Sequence, residues 1–183
     1  MKASIRTKFN IGILFLFIII LVLSVFSAYF LNRLSGKTSA ILQENHLSVS
    51  YAREMAEDLL NINKEITNSF LTGKNPDKSL VDKEMNLFGN SLQLEKNNIT
   101  EAGEDQLVSG IAAGFATYKD SFANYNKSPK SLAGVASLQD KFSSIYQQLM
   151  LLSRMNEKAI EVKTREAKDS AKIALRQMTI LGT

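Results

Sequence analysis

The sequence predicts an all-α chain, an antiparallel up-down four-helix bundle whose long first and last helices are continuous with membrane spans. Three observations predict it. Apolar residues recur at alternating steps of three and four along four separate stretches, the repeat of a helix with one buried face. Breakers collect between those stretches, around Gly73 and Pro76, over Asn97 to Glu104, and from Asn126 to Gly134, where they end helices and form turns. Ahead of them all, Phe9 to Asn32 holds no charged residue.

That first stretch reads as a membrane anchor. Its 24 residues would span roughly 36 Å as helix, enough to cross a hydrocarbon core of about 30 Å with some tilt. Lys2, Arg6 and Lys8 crowd the N-terminus with no acid to offset them. The positive-inside bias therefore puts residues 1–8 in the cytoplasm, 9–32 in the membrane and 33–176 outside. A cleaved signal peptide competes, because Val25-Phe26-Ser27 offers small residues where a signal peptidase inspects. The apolar run continues past that cut through Tyr29, Phe30 and Leu31, longer than a secretory core, and this favours an uncleaved anchor.

From Ile41 the first helix is expected to carry a heptad seam of Ile41, Asn45, Ser48, Ala52, Met55, Leu59, Ile62 and Ile66, weak at its start and apolar beyond. Gly73 and Pro76 should stop it. Asp77 or Ser79 can cap the second helix, whose seam is Val81, Met85, Phe88, Leu92, Glu95 and Ile99, with Glu95 a charged intruder. Thr100 with Glu104, or Gly103 with Gln106, supplies cap and turn chemistry for the third. There Val108, Ile111, Phe115, Tyr118, Phe122 and Tyr125 form one stripe, read as core and not as a cofactor box, since no ligand constellation accompanies the aromatics. Val135 or Ser137 should open the last helix. Leu138, Phe142, Ile145, Leu149 and Leu152 make its upper seam, Asn156 and Ile160 continue it, and Thr164, Ala167, Ala171 and Ala174 lead to Met178 and Leu181.

The apolar residues at 177–183 follow Lys172 and Arg176 as the start of a second span would. The expectation is a piece of a longer protein, cut where that crossing begins. The inner helices are too short to cover the lower halves of the outer two, whose seams then need another partner. The simplest is a second copy, giving a parallel homodimer.

Composition excludes several functions. Leaving out the three N-terminal cations, 19 of the 22 basic residues face 18 acidic ones, so the chain outside the anchor is nearly neutral and makes no case for nucleic acid. With no cysteine there are no disulfides, thiolate metal sites or cysteine nucleophiles. No phosphate loop, nucleophile with base, or metal-ligand spacing occurs. The reading is therefore no catalytic residues, no metal and no cofactor.

Glu44 to Val49, Ala52 to Met55, the Asn97 to Glu104 hairpin, and Asn156 to Ile160 followed by Lys163 and the alanines together carry a family likeness. The chain resembles the N-terminal sensor of KinB-like bacterial membrane histidine kinases, and its bundle plan resembles that of chemoreceptor sensor domains. The resemblance implies a dimeric, extracytoplasmic sensor in the bacterial inner membrane. Kinase modules acting on a cytoplasmic response regulator would lie beyond this sequence. A chemoreceptor input domain and a membrane-tethered structural or adaptor bundle are the alternatives.

The only histidine, His46, falls on the extracytoplasmic side and cannot be a cytoplasmic phosphoacceptor. Counting residues from the far tip puts Arg53 and Arg154 both roughly 30 Å below that tip, level with the hairpin. The two guanidiniums either brace the hairpin through its carboxylates or carbonyls, or join Asn97, Asn98 and the amides opening the third helix to receive a small anionic ligand.

Overall fold

The computed structural model describes residues 5–127 and 131–182, with side chains at 174, at 175 and from 177 onward, and some between residues 5 and 40, left aside. Four helices follow one another: α1 (Ile5–Thr72), α2 (Lys78–Lys96), α3 (Glu104–Lys127) and α4 (Leu132–Gly182). The chain divides into two units, Met1–Ala40 and Ile41–Thr183.

In the first unit, Lys8–Tyr29 is long and apolar enough to cross a membrane, with a mean hydropathy of 3.0. Its large side chains are exposed, from Phe9 to Tyr29, as suits a helix solvated by lipid tails. The expected second span at 177–183 has its side chains outside the described residues, as do Ala174, Met178 and Leu181 of the lower seam.

The second unit is a four-helix bundle with antiparallel neighbours. Along α1 and α2 the cross-links run in opposite chain directions: Glu65 accepts from the Asp77 amide, Glu84 from Asn61, and Glu54 from Ser91. Glu104 meets Asn156 where α3 begins, while Gly114 lies against Ile145 and Gly134 against Tyr125 farther up, so α3 and α4 are antiparallel too. The stacked rings of Phe88 and Phe115, 3.8 Å apart, join α2 to α3 in mid-core. From Asn45 to Ile66 every expected seam residue of α1 is buried, and so is the whole α3 stripe from Val108 to Tyr125. Ile41, the first seam position, is 38% exposed, and Ile99, the last of α2, is 40% exposed, because both lie past the end of four-helix coverage.

The helix ends follow local chemistry. Gly73 adopts φ 68°, a left-handed stop that costs glycine nothing. Asp77 caps α2, its carboxylate accepting from the Ser79 and Leu80 amides. α4 opens at Leu132, not at Val135 or Ser137, because the Ser131 hydroxyl takes the Gly134 amide and acts as the cap. Pro129 of that turn lies outside the described residues. Lower on α4, Ile160, Thr164 and Ala167 are half-buried and Ala171 is exposed.

Candidate functional site

Where α2 ends and α3 begins, the apolar core gives way to a polar layer. Each helix contributes a side chain with no measurable exposure: Asn45 and Ser48 from α1, Glu95 from α2, Glu104 from α3 and Asn156 from α4. The heptad spacing forces this, since all five occupy seam positions or border them and the turn from Asn97 to Gly103 closes over them. Polar groups held away from water need partners, and most of these have one. Asn98 donates to the Glu44 carbonyl at 2.7 Å and to Ser48 Oγ at 2.9 Å. Thr100 Oγ1 donates to Asn45 Oδ1 at 3.2 Å, and Asn45 Nδ2 to the Ile41 carbonyl.

Glu104 closes the turn from the other side. One carboxylate oxygen accepts the Thr100 and Glu101 amides at 2.7 and 2.9 Å, and the other accepts Asn156 Nδ2 at 2.6 Å. Thr100 and Glu104 thus meet as expected, but the carboxylate reaches back while the threonine hydroxyl goes to α1. An acid at this end of α3 is also favoured by the helix dipole. Just below, Lys163 pairs with Glu101.

Glu95 is the exception. Burial pushes its carboxyl up to about 7; the Ser48 hydroxyl opposes that rise and the Glu104 carboxylate adds to it. Ser48 and Glu104 lie near enough to act on Glu95, yet neither meets it in good hydrogen-bond geometry, and both of its oxygens lack a donor. Asn156 Oδ1 lacks one as well. The layer therefore carries three buried acceptor atoms that, among the described residues, no donor meets in hydrogen-bond geometry.

A second acidic group sits higher between α1 and α2. Asp58 is 8% exposed, and burial, followed by the Glu84, Glu57 and Glu54 charges, raises its carboxyl to about 6, with Lys83 opposing. Asn61 and Lys83 both hold Glu84.

The four sequence-derived ligand candidates fall in different surroundings. Arg53 pairs with Glu157 across α1 and α4 at 3.0 Å. That partner lies on α4 and is not a hairpin acid. Arg154 lines an open groove between α3 and α4 with Gly103, Leu107, Leu151 and Lys158. Asn98 is spent on α1, and Asn97 is the exposed C-cap of α2. His46 is exposed. Sequence reasoning passed over Glu95, Glu104 and Asn156 as a group, although each was visible as a polar residue on or next to an apolar seam.

A family model described as a four helix bundle sensory module for signal transduction matches residues 2–132, covering α1, α2 and α3. No curated protein matches the chain, and no solved structure does.

Proposed function

The chain belongs to the family of four-helix-bundle sensory modules for signal transduction, and from that membership we propose that it is the dimeric, extracytoplasmic input portion of a bacterial inner-membrane receptor, with a sensor histidine kinase as the preferred output. The observation that carries the mechanism is the polar layer. It marks the level where the packed four-helix core ends, and an element with several packings within a few kcal/mol is what a switch requires. A stimulus that alters the layer repacks the lower end of the bundle. The half-buried Ile160, Thr164 and Ala167 and exposed Ala171 support a second copy as the lower seam's other partner, and α1 and α4 then relay the change toward the membrane.

The ligand proposed is a small anion. Of the four candidates, Arg154 leads, since Lys158 shares its groove; Arg53, Asn97 and Asn98 have structural duties first. A chemoreceptor is the second reading, favoured by the same bundle plan.

Two experiments test this. Impermeant labelling of single cysteines in intact cells should mark position 137 and spare position 4; the opposite pattern overturns the topology. Titrating the protein with small carboxylates and phosphate while following thermal melting should give a saturable rise that Arg154→Gln abolishes and Arg53→Gln leaves. A rise unaffected by Arg154→Gln places the ligand elsewhere.

A further inference from the structure

We propose that Glu95 is a proton-binding site, and that one proton taken up there completes the polar layer and locks the lower end of the bundle. The argument begins with the missing hydrogen. Glu95 Oε1, Glu95 Oε2 and Asn156 Oδ1 are buried acceptors with no donor in hydrogen-bond geometry, and a buried acceptor left unpaired destabilises the fold, more so when charged. Turning the Asn156 amide over does not help. Its Nδ2 already serves both Glu104 Oε1 at 2.6 Å and the Leu152 carbonyl at 3.1 Å, and the turned amide would set oxygen against oxygen.

The occupant has to bring a hydrogen and little volume. A proton on Glu95 does both: the new O–H becomes a donor among the layer's acceptors, and the side chain loses the charge that burial penalises. Glu104 accepts three N–H groups, which leaves its carboxylate about one lone-pair site to receive the Glu95 O–H. Two carboxylates in one dry site cannot both ionise without mutual repulsion.

The surroundings set the direction of the response. The groups that act on Glu95 are the uncharged Ser48 from α1 and the Glu104 carboxylate from α3, and Asn45 of α1 and Asn156 of α4, buried in the same layer, carry no charge. The nearby cations are occupied, Lys163 by Glu101 and Arg53 by Glu157. Among the described residues no positive charge acts to hold Glu95 as a carboxylate. Its carboxyl, raised from 4.5 to about 7, binds protons more tightly folded than unfolded, so its stabilisation is full below about 4.5 and lost as pH rises toward and through about 7. Deprotonation puts an unpaired charge under the 97–103 turn, which only water can relieve, and the layer opens. The physiological use of this rests on the sensor reading above; the proton site does not.

The test uses the full chain in nanodiscs. Carboxyl-carbon NMR should show one Glu titrating near neutrality, a signal that Glu95→Gln removes; all Glu carbons titrating near the ordinary value of about 4.3 overturns the site. Tm should fall by about 4 °C or more between pH 5.5 and 8.5, and the profile of Glu95→Gln should be flatter by that amount, leaving the Asp58 contribution. Equal profiles overturn the proposal, and the NMR titration of wild type decides it if the variant does not fold. Spin labels at Leu47→Cys and Glu161→Cys then read the lower α1–α4 pair. A distance distribution that broadens above neutrality in the Glu95 background only supports the coupling to signalling, whereas a pH-invariant distribution with an intact NMR titration supports the proton site and overturns that coupling.

Discussion

Glu104 and Asn156, 52 positions apart in sequence, meet at 2.6 Å with neither side chain exposed, and this contact ties the first residue of α3 to the lower core of α4. Removing one partner strands the other. Asn156→Leu leaves Glu104 Oε1 without its donor, and a loss of about 2–3 kcal/mol is expected in urea unfolding. Glu104→Ala should cost a similar amount by freeing the Thr100 and Glu101 amides. The double variant should fall well short of the summed single losses; full additivity would show that the two act independently.

Asp58 gives the bundle a second acid-side dependence. Its carboxyl rises from 3.8 to about 6 through burial first and then through Glu84, Glu57 and Glu54. The folded state holds the proton more tightly, so this contribution is complete below about 3.8 and disappears as pH climbs through about 6. Asp58→Asn should flatten the stability profile between those values and leave the Glu95 step near neutrality. Melting curves across pH 4 to 8 decide the matter.

Two glycines on α3 should respond differently to alanine. A Cβ on Gly110 would lie 2.6 Å from Gln148 Oε1, the free end of a flexible side chain, whereas one on Gly114 would meet the branched Ile145 Cγ1 at 3.1 Å inside the core. Gly110→Ala is expected to gain up to about 1 kcal/mol of helix propensity once Gln148 swings aside. Gly114→Ala should gain less or lose, because a packed isoleucine yields poorly. Paired denaturation curves compare them, and a larger gain at Gly114 would contradict the packing argument.

The Arg53–Glu157 bridge should matter little for stability. Its side chains are 68% and 48% exposed, and such pairs contribute about 0.2–1 kcal/mol. Phe88→Ala, by contrast, empties a fully buried position stacked on Phe115 and should cost about 3–5 kcal/mol. Chemical denaturation of both variants checks the contrast.

What was legible in the sequence was the periodic part. Heptad spacing located the α1, α3 and upper α4 seams because apolar burial is repetitive, and Gly73 and Asp77 announced their own roles through backbone chemistry. Residues flanking the seams were not legible. Asp58, Glu84 and Ser91 are buried although no repeat marks them, since neighbouring helices cover positions beside the stripe as well as on it. Side-chain pairing was hidden too. Arg53 could be placed at the right height by counting, but its partner depends on helix rotation, which turned it toward Glu157. The Ser131 cap was missed because the apolar pattern begins later than the helix does.

A bundle held by heptads alone has a weakness: sliding one helix by seven residues puts apolar against apolar again. The polar layer forbids it. Moving α4 by one heptad would bring Leu149 or Lys163 to the level of Glu104 in place of Asn156, leaving a buried carboxylate facing hydrocarbon or drawing Lys163 away from Glu101. Each wrong alignment leaves polar groups stranded while the right one satisfies most of them, so the layer works as a register key. It trades some stability for a single alignment, and that is the condition under which a small displacement of α4 can be told apart from noise.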